Sequence, residues 1–231
     1  MVEAIQAGDT FVDVGANAGM ITLMAARCVG PGGRVFAFEP NPVAMAHLQV
    51  AIQANHLAWV PPVDVGLSDS PAQLTLRVST GRDSGCGTFG TVLPLKGMAS
   101  VEQHPAFTAR GNDVLFGVVS APLMIIVDVE GLEQRVINGL AKTIREFRPL
   151  IITEALEEFL ARAGSTVSSL SDAMANLGYE PFRMELSGLL RSRKLRLRPI
   201  RLSEEDPPEN VVWLHPGSLH QERLQPWMWI P

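Results

Sequence analysis

The sequence predicts an α/β fold, with an open, mostly parallel, Rossmann-like sheet and helices on both of its faces. The first observation behind this prediction is the segment 10–42, where an apolar strand, a glycine turn, a helix and a second apolar strand follow one another. The second is that acidic residues stand at the end of one predicted strand after another. Ligands bind beyond the carboxyl ends of the strands in sheets of this kind, so the binding site is expected there.

Composition indicates a single domain, 1–231, and argues against several classes of function. The chain has 231 residues, of which 46% are hydrophobic and 19% are charged, enough for one sizeable core. The net charge of -5 argues against a nucleic-acid partner, because such binders are usually basic. No apolar stretch is long enough for a membrane span, and two cysteines cannot make a disulfide framework, which favours a cytoplasmic location. The first strand begins close to Met1, which predicts a minimal variant of the fold or a truncated start.

The first unit of the sheet starts with a strand over 10–14. A helix follows, because apolar residues recur at helical spacing. They are Ile21, Met24, Ala25 and Cys28, the predicted buried face. The breaker 31–33 ends this helix, and a second strand is predicted over 34–38. Asn41 and Pro42 then predict a second helix, with Asn41 as its N-cap and Pro42 as its first residue.

The segment 70–113 is predicted to be a β-hairpin insertion between a short third strand, 63–66, and the fourth strand. Residues 73–79 alternate between apolar and polar, as in a half-buried strand. The loop 80–90 is rich in glycine, and 91–95 is the candidate return strand. Such an insertion suits a lid or a substrate-facing element, with a solvent-exposed loop as the alternative.

The second half of the chain continues the sheet. The fourth and fifth strands are predicted over 124–127 and 149–153, with a helix between them. A last clear helix is predicted over 167–177, where apolar residues again recur at helical spacing. Strands over 179–186 and 210–214 then complete the sheet as an antiparallel pair.

The C-terminal region 179–231 carries two stretches of unusual composition. The run 191–201 is dense in arginine and lysine. A basic edge strand is the favoured interpretation, because such side chains keep edge strands from pairing, and binding of an anionic substrate or carrier is the alternative. The last residues, 226–231, are apolar for a tail. They either pack back on the domain or form the contact of a homo-oligomer.

The glycine turn after the first strand does not fit a dinucleotide-binding motif. That motif is G-x-G-x-x-G, and its three glycine positions are occupied by Gly15, Asn17 and Met20. Asp13 stands at the end of the first strand, where a carboxylate would repel a pyrophosphate but attract a cation. S-adenosylmethionine has a sulfonium, an ammonium and a ribose, and it has no phosphate. The turn therefore favours S-adenosylmethionine over NAD(P), and an NAD(P)-dependent oxidoreductase is the alternative.

Carboxylates at four strand ends predict an anionic site. Strand one ends at Asp13, strand two at Glu39 and strand five at Glu154. Asp128 and Glu130 follow strand four and would face the same side of an extended strand. No Lys or Arg stands at these strand ends. A cationic, hydroxyl-rich ligand is therefore expected, with Glu39 on the ribose hydroxyls and Asp13 near the ammonium.

Four motifs resemble those of one family, in the same order. They are DVGANAG (13–19), FAFEPNP (36–42), VDVEGLE (127–133) and RPLIITE (148–154). On these motifs the sequence resembles the FkbM family of S-adenosylmethionine-dependent methyltransferases. The resemblance implies a fold of the class I methyltransferase type and methyl transfer to the oxygen of a small hydroxylated molecule, such as a natural product or a sugar. The sequence departs from the family at Ile126, where the family often has lysine. This departure supports a further alternative, a binding module without catalytic activity.

The residues and the resemblance together give a candidate site. The acids Asp128, Glu130 and Glu154 are the candidate catalytic residues, and Asp128 and Glu154 are the candidate general bases. The cofactor S-adenosyl-L-methionine is expected to contact a larger set. It comprises Asp13, Gly15, Ala16, Asn17, Gly19, Glu39, Pro40, Leu67, Ser68 and Asp128. The sequence shows no metal-ligand spacing and no phosphate-binding or catalytic-serine motif.

Overall fold

The computed structural model confirms the predicted fold class. It describes residues 4–80, 87–88, 100–187, 194–202 and 208–228. The described residues form an eight-stranded, mostly parallel sheet with helices packed against it, and a smaller four-stranded sheet. None of their helices is long and apolar enough to cross a membrane.

The described part of the chain contains twelve strands and seven α-helices. The strands are β1 Thr10–Val14, β2 Arg34–Phe38, β3 Pro62–Val63, β4 Gly66–Ser68, β5 Ala72–Thr80, β6 Gly87–Thr88, β7 Ser100–Arg110, β8 Leu123–Val127, β9 Leu150–Glu154, β10 Glu180–Ser187, β11 Lys194–Pro199 and β12 Asn210–Leu214. The helices are α1 Met20–Val29, α2 Pro42–Ala54, α3 Gly111–Leu115, α4 Glu133–Phe147, α5 Glu157–Arg162, α6 Val167–Ala175 and α7 Leu219–Leu224. A short 3-10 helix, Gln225–Trp227, follows α7.

The large sheet has the strand order β11-β10-β12-β9-β8-β1-β2-β3. The five strands from β3 to β9 in this order are parallel, whereas β12 is antiparallel to both β9 and β10. The chain leaves β1 toward β2 and β3 and later returns on the other side of β1 as β8. This reversal brings the carboxyl ends of β1 and β8 side by side, with Val14 opposite Val127. A crevice at such a reversal point is where open α/β sheets bind their ligands.

Two apolar cores lie on opposite faces of the sheet. Successive residues of a strand point to opposite faces, so Ile125 belongs to one core and its neighbour Met124 to the other. Helices α4 and α6 cover the first face, and α1, α2 and α7 cover the second. The parallel strands are buried on both faces, which explains their nearly continuous apolar sequences.

The buried face of α1 is shifted from the predicted one, with which it shares Ala25. The structure buries Thr22, Ala25, Ala26 and Val29. Met24 is 45% exposed, and Ile21 and Cys28 are only half-buried. The reason is tertiary: the glycine turn rotates the helix so that Thr22 faces Asp13, with which it forms a hydrogen bond. Small alanine side chains then pack closely on the sheet, and a large methionine is left outside.

The insertion forms the second sheet, in the order β4-β7-β5-β6. The predicted strand 73–79 corresponds to β5, which pairs along its length with the antiparallel β7. The candidate return strand 91–95 lies outside the described residues. The predicted third strand, 63–66, is divided between β3 in the large sheet and β4 in the small one, since the chain turns between them. Pro105 lies inside β7, at a position where only β5 pairs with this strand, so its missing N–H group can face the open edge.

The C-terminal region completes the large sheet as predicted, with β10 antiparallel to β12. The described part of the basic run forms β11, the outermost strand, in which leucines and arginines alternate. Leu197 is buried and pairs with Met228 of the tail. Arg198 lies 3.6 Å from Glu185 across the hairpin. Trp227 and Met228 pack against the second core, so the described start of the tail folds back on the domain.

Candidate functional site

Asp13 lies at the carboxyl end of β1 and is 2% exposed. The Thr22 hydroxyl donates a hydrogen bond to its carboxyl group, with an O···O distance of 2.5 Å. Burial raises the pKa of Asp13 to about 7, and the charges of Asp128 and Glu39 add to the increase. Asp13 therefore ties β1 to α1 and influences the site through its charge, since little of its side chain reaches solvent.

Glu39, at the carboxyl end of β2, uses both of its carboxylate oxygens. Oε2 accepts a hydrogen bond from the Asn17 N–H at 2.8 Å, and Oε1 accepts one from the Asn41 N–H at 2.7 Å. Burial nevertheless raises its pKa, and the nearby charges of Asp64 and Asp128 act in the same direction. This single side chain joins the glycine turn to the start of α2, where Asn41 is the N-cap that the sequence predicted.

The glycine turn leaves no N–H group free between residues 15 and 19. The N–H groups of Gly15 and Ala16 donate to the carbonyl of Phe38. The N–H group of Asn17 donates to Glu39. The N–H group of Ala18 donates to the Asn17 side chain, and that of Gly19 donates to the carbonyl of Ala16. A phosphate cradle depends on several free backbone N–H groups that converge on the anion. Residues 15–19 of the turn therefore offer no free N–H donor to a pyrophosphate.

Two glycines allow this turn to pack closely against neighbouring segments. Gly15 has φ +87°, and a Cβ atom there would lie 1.8 Å from the carbonyl oxygen of Asp128. Gly19 has φ +92°, and a Cβ atom there would lie 2.6 Å from Cδ1 of Leu48. The first contact brings the loops after β1 and β8 together, which places Asp128 beside the glycine turn.

The loop after β8 differs from the predicted extended strand. Strand β8 ends at Val127, and Glu130 has φ +54° in a turn. The expectation that Asp128 and Glu130 face the same side of a strand is therefore wrong, since the left-handed residue changes the direction of the chain. Both acids still lie near Glu154, because the charges of both act on its carboxyl group. Asp128 is exposed as a residue, while partial desolvation of its carboxyl group raises its pKa.

Glu154 ends β9 opposite Asn210 of β12. Burial raises its pKa to about 8, and the charges of four other acids contribute in the same direction. They are Asp128, Glu130, Glu133 and Glu209. Its Oε2 atom is buried without a hydrogen-bond partner among the described residues. Glu154 is thus a carboxyl group that gains a proton easily near neutral pH.

Glu133 is a residue of the site that sequence reasoning missed. It is the first residue of α4 and is 1% exposed. Its Oε1 atom accepts hydrogen bonds from the N–H groups of Val129 and Gly131, both at 3.2 Å. Burial raises its pKa to about 7. The sequence signal that could have identified it is its position as the last residue of the VDVEGLE motif, two residues after Gly131.

The structure brings together most of the predicted site residues, but not all. Those gathered at the reversal point of the sheet are Asp13, Gly15, Ala16, Asn17, Gly19, Glu39, Pro40, Asp128, Glu130 and Glu154. Leu67 and Ser68 instead form part of β4 in the small sheet, and their side chains are buried. The carbonyl of Ser68 packs on Gly139 of α4. Within the described part of the chain, no group of three or more His, Cys, Asp or Glu side chains is arranged to hold a metal ion.

Comparisons with known proteins agree with this fold. A scan against models of protein families finds no match, and a search of curated proteins finds none either. Among solved structures, the chain is similar to methyltransferase FkbM from Methylobacillus flagellatus KT, with a TM-score of 0.53 and 15% identity, covering 90% of this chain and 44% of that one. It is also similar to a candidate rRNA methylase from Clostridium thermocellum, with a TM-score of 0.50 and 13% identity, covering 91% of this chain and 88% of that one. At these identities the likeness is one of fold, and the chain spans less than half the length of the FkbM protein.

Proposed function

We propose that the chain is an S-adenosylmethionine-dependent methyltransferase. The observation that carries the proposal is a glycine turn whose N–H groups are all used within the chain, at a sheet edge lined by carboxylates. A pyrophosphate needs free N–H donors and is repelled by acids, whereas a sulfonium amino acid and its ribose are attracted by them. The fold shared with solved methyltransferase structures supports the same conclusion.

The residues present fit this cofactor. Each carboxylate oxygen of Glu39 accepts one backbone N–H group and keeps a lone pair for a ribose hydroxyl. The backbone from Gly15 to Gly19 would lie along the methionine portion, since it runs between the ends of β1 and β2 and beside the Asp128 backbone. Asp13 would favour the ammonium group through its charge, and Asp128 would lie beside the glycine turn on the acceptor side. Leu67 and Ser68 are left out of this proposed contact set, because their side chains are buried in the small sheet and the Ser68 carbonyl packs on Gly139.

We further propose that the methyl acceptor is the hydroxyl oxygen of a small molecule. S-adenosylmethionine, when bound, supplies a methyl group on a sulfonium that is already activated for displacement. The acceptor oxygen forms the new C–O bond, the electron pair of the broken C–S bond stays on sulfur, and the hydroxyl proton passes to a carboxylate. Glu154, when ionised, is suited to take this proton, since a carboxylate with a pKa of about 8 is a stronger base than an ordinary one and is still partly ionised near neutral pH. Asp128 and Glu130 would orient the acceptor, and alignment and exclusion of water supply most of the rate.

A small acceptor fits the electrostatics better than a nucleic acid. The site residues described above are carboxylates, and the chain has a net charge of -5. A phosphate backbone approaching this edge would be repelled. Oligomerisation through the C-terminal tail stays a prediction, as does the assignment of the insertion as a lid.

Titration calorimetry with S-adenosylmethionine, S-adenosylhomocysteine and NADH tests the proposed function. We expect both sulfur ligands to bind and NADH to give no heat. Binding of NADH alone would support an oxidoreductase, and absence of heat with both sulfur ligands would refute methyl transfer. A screen of hydroxylated small molecules with a labelled methyl donor would then test the acceptor class.

A further inference from the structure

The turn after β8 is held by one carboxylate oxygen. Two of its residues, Glu130 and Gly131, have positive φ values of +54° and +112°. The Asp128 N–H donates to the carbonyl of Val14 at 3.0 Å. The N–H groups of Val129 and Gly131 both donate to Oε1 of Glu133. Glu133 thus satisfies two N–H groups that flank Glu130 and would otherwise have no partner in this unusual turn.

The same turn packs closely between the glycine turn after β1 and helix α5. A Cβ atom on Gly15 would lie 1.8 Å from the Asp128 carbonyl oxygen, and one on Gly131 would lie 2.3 Å from the Phe159 carbonyl oxygen. The glycine turn thus limits one end of the loop, and α5 limits the other. With both ends fixed, the hydrogen bonds from Glu133 select the local conformation in which Asp128 and Glu130 stand at the edge of the sheet.

Glu133 also adds a negative charge near Glu154, on the acceptor side of the site. It is almost fully buried, and its carboxyl group acts on that of Glu154. The groups that face Glu154 from the packed elements are Asp128, Glu130 and Glu133 in the β8–α4 segment and Glu209 before β12. All four are acids, so loss of the charge of Glu133 would make it easier for Glu154 to release its proton.

We propose that Glu133 is a positioning residue: its carboxylate holds the turn that presents Asp128 and Glu130, and thereby fixes where these two acids stand relative to Glu154. The inference deepens the proposed function and rests on it for the use of these acids in methyl transfer. A simpler role would be that of an acid in the first turn of α4, where it stabilises the helix dipole. That role predicts a general loss of stability, without faster exchange confined to the amides of Val129 and Gly131.

Two variants separate the hydrogen bonds of Glu133 from its charge. Glu133→Gln keeps an accepting oxygen and loses the charge, whereas Glu133→Ala loses both. A matched control is Glu157→Gln, because Oε2 of Glu157 also accepts a backbone N–H bond, from Val167 at 2.8 Å, but lies outside the site. NMR then provides two measurements that need no acceptor: hydrogen exchange of individual amides, and the titration of the Glu154 carboxyl carbon, assigned with Glu154→Gln.

We expect the amides of Val129 and Gly131 to exchange at least about tenfold faster in Glu133→Ala, and to stay within about threefold of the wild type in Glu133→Gln. The Glu154 titration midpoint is expected to fall in both Glu133 variants and to stay unchanged in Glu157→Gln. A Glu154 midpoint that is the same in all proteins would overturn the inference, as would unchanged amide exchange in Glu133→Ala. If Glu133→Ala does not fold, Glu133→Asp decides the question: it keeps the charge but withdraws the carboxylate from the turn, so the amides of Val129 and Gly131 should again exchange faster, and unchanged exchange would overturn the inference.

Failure of this inference is distinguishable from failure of the proposed function. Calorimetry on the wild-type chain reports whether S-adenosylmethionine binds, independently of the NMR titration. When it binds, we expect its affinity to fall about tenfold in Glu133→Ala and less than about threefold in Glu133→Gln, because the turn also supports Gly15. Equal affinity in all variants, with an unchanged Glu154 midpoint, would leave the proposed function standing and refute the role of Glu133.

Discussion

At the scale of single residues, the site is built from acidic side chains that accept hydrogen bonds from the backbone and also contribute negative charge. Glu39 accepts N–H groups from the glycine turn and from the start of α2, and Glu133 does the same for the turn after β8. Each of these side chains is buried, and each retains a raised pKa. Such a residue cannot be replaced without changing both the local backbone and the charge of the site.

Glu39→Ala is expected to weaken binding of S-adenosylmethionine by at least about tenfold, because the ribose hydroxyls lose their acceptor and the Asn17 N–H loses its partner. Calorimetry measures the effect, and thermal unfolding verifies that the variant is folded. Glu157→Ala is the control, since it removes a carboxylate that accepts a backbone N–H group elsewhere. An affinity within twofold of the wild type would rule out the ribose assignment.

Gly15→Ala is expected to destabilise the chain more than Gly30→Ala does. Both glycines have positive φ values, but a Cβ atom at Gly30 meets nothing within 4 Å, whereas one at Gly15 collides with the Asp128 carbonyl oxygen. Gly30→Ala should cost about 1 kcal/mol of unfolding free energy, and Gly15→Ala at least about 2 kcal/mol more. Urea unfolding compares the two variants, and equal losses would show that the contact between the β1 and β8 loops is unimportant.

At the scale of elements, sequence patterns located most helices and strands, while packing decided which face each one buries. The strand over 10–14 and the one over 210–214 have the predicted bounds. The predicted face of α1 is right at Ala25 and wrong at Met24, because helical spacing alone allows several faces in a helix rich in alanine and methionine. The hydrogen bond between Thr22 and Asp13 selects among them, and no local pattern encodes it.

This correction predicts opposite outcomes for two neighbouring positions in α1. Met24→Lys is expected to change the unfolding free energy by less than about 0.5 kcal/mol, because Met24 is largely outside the core. Ala25→Leu is expected to cost about 1–3 kcal/mol, since Ala25 is fully buried against the sheet. Urea unfolding of both variants is the measurement. A loss of more than about 1 kcal/mol for Met24→Lys would contradict the exposure of Met24 and return it to the buried face.

At the scale of the whole molecule, the site concentrates carboxyl groups that burial makes hard to ionise. The pKa values of Asp13 and Glu133 rise to about 7 and that of Glu154 to about 8, from ordinary values of 3.8 for Asp and 4.5 for Glu. These groups hold protons more tightly in the folded than in the unfolded chain. The stability linked to them is therefore complete below the ordinary values and is lost as the pH rises toward 8.

The melting temperature is accordingly expected to fall by at least about 5 °C between roughly pH 5.5 and pH 8.5. Differential scanning calorimetry across this range provides the measurement. Glu154→Gln removes one of the groups and should make the fall shallower. A melting temperature that stays constant or rises with pH would contradict the raised pKa values.

The sequence by itself determined the alternation of strands and helices, the glycine turn and the acids at the strand ends, because each of these depends on residues adjacent in the chain. Tertiary structure decided the rest. It placed Gly15 against Asp128, put Leu67 and Ser68 in the small sheet and made Glu133 part of the site. It also joined Asp9 to Arg223 through an ion pair that connects the two ends of the described chain. These features depend on contacts between segments far apart in sequence, whose burial and pairing no local pattern specifies.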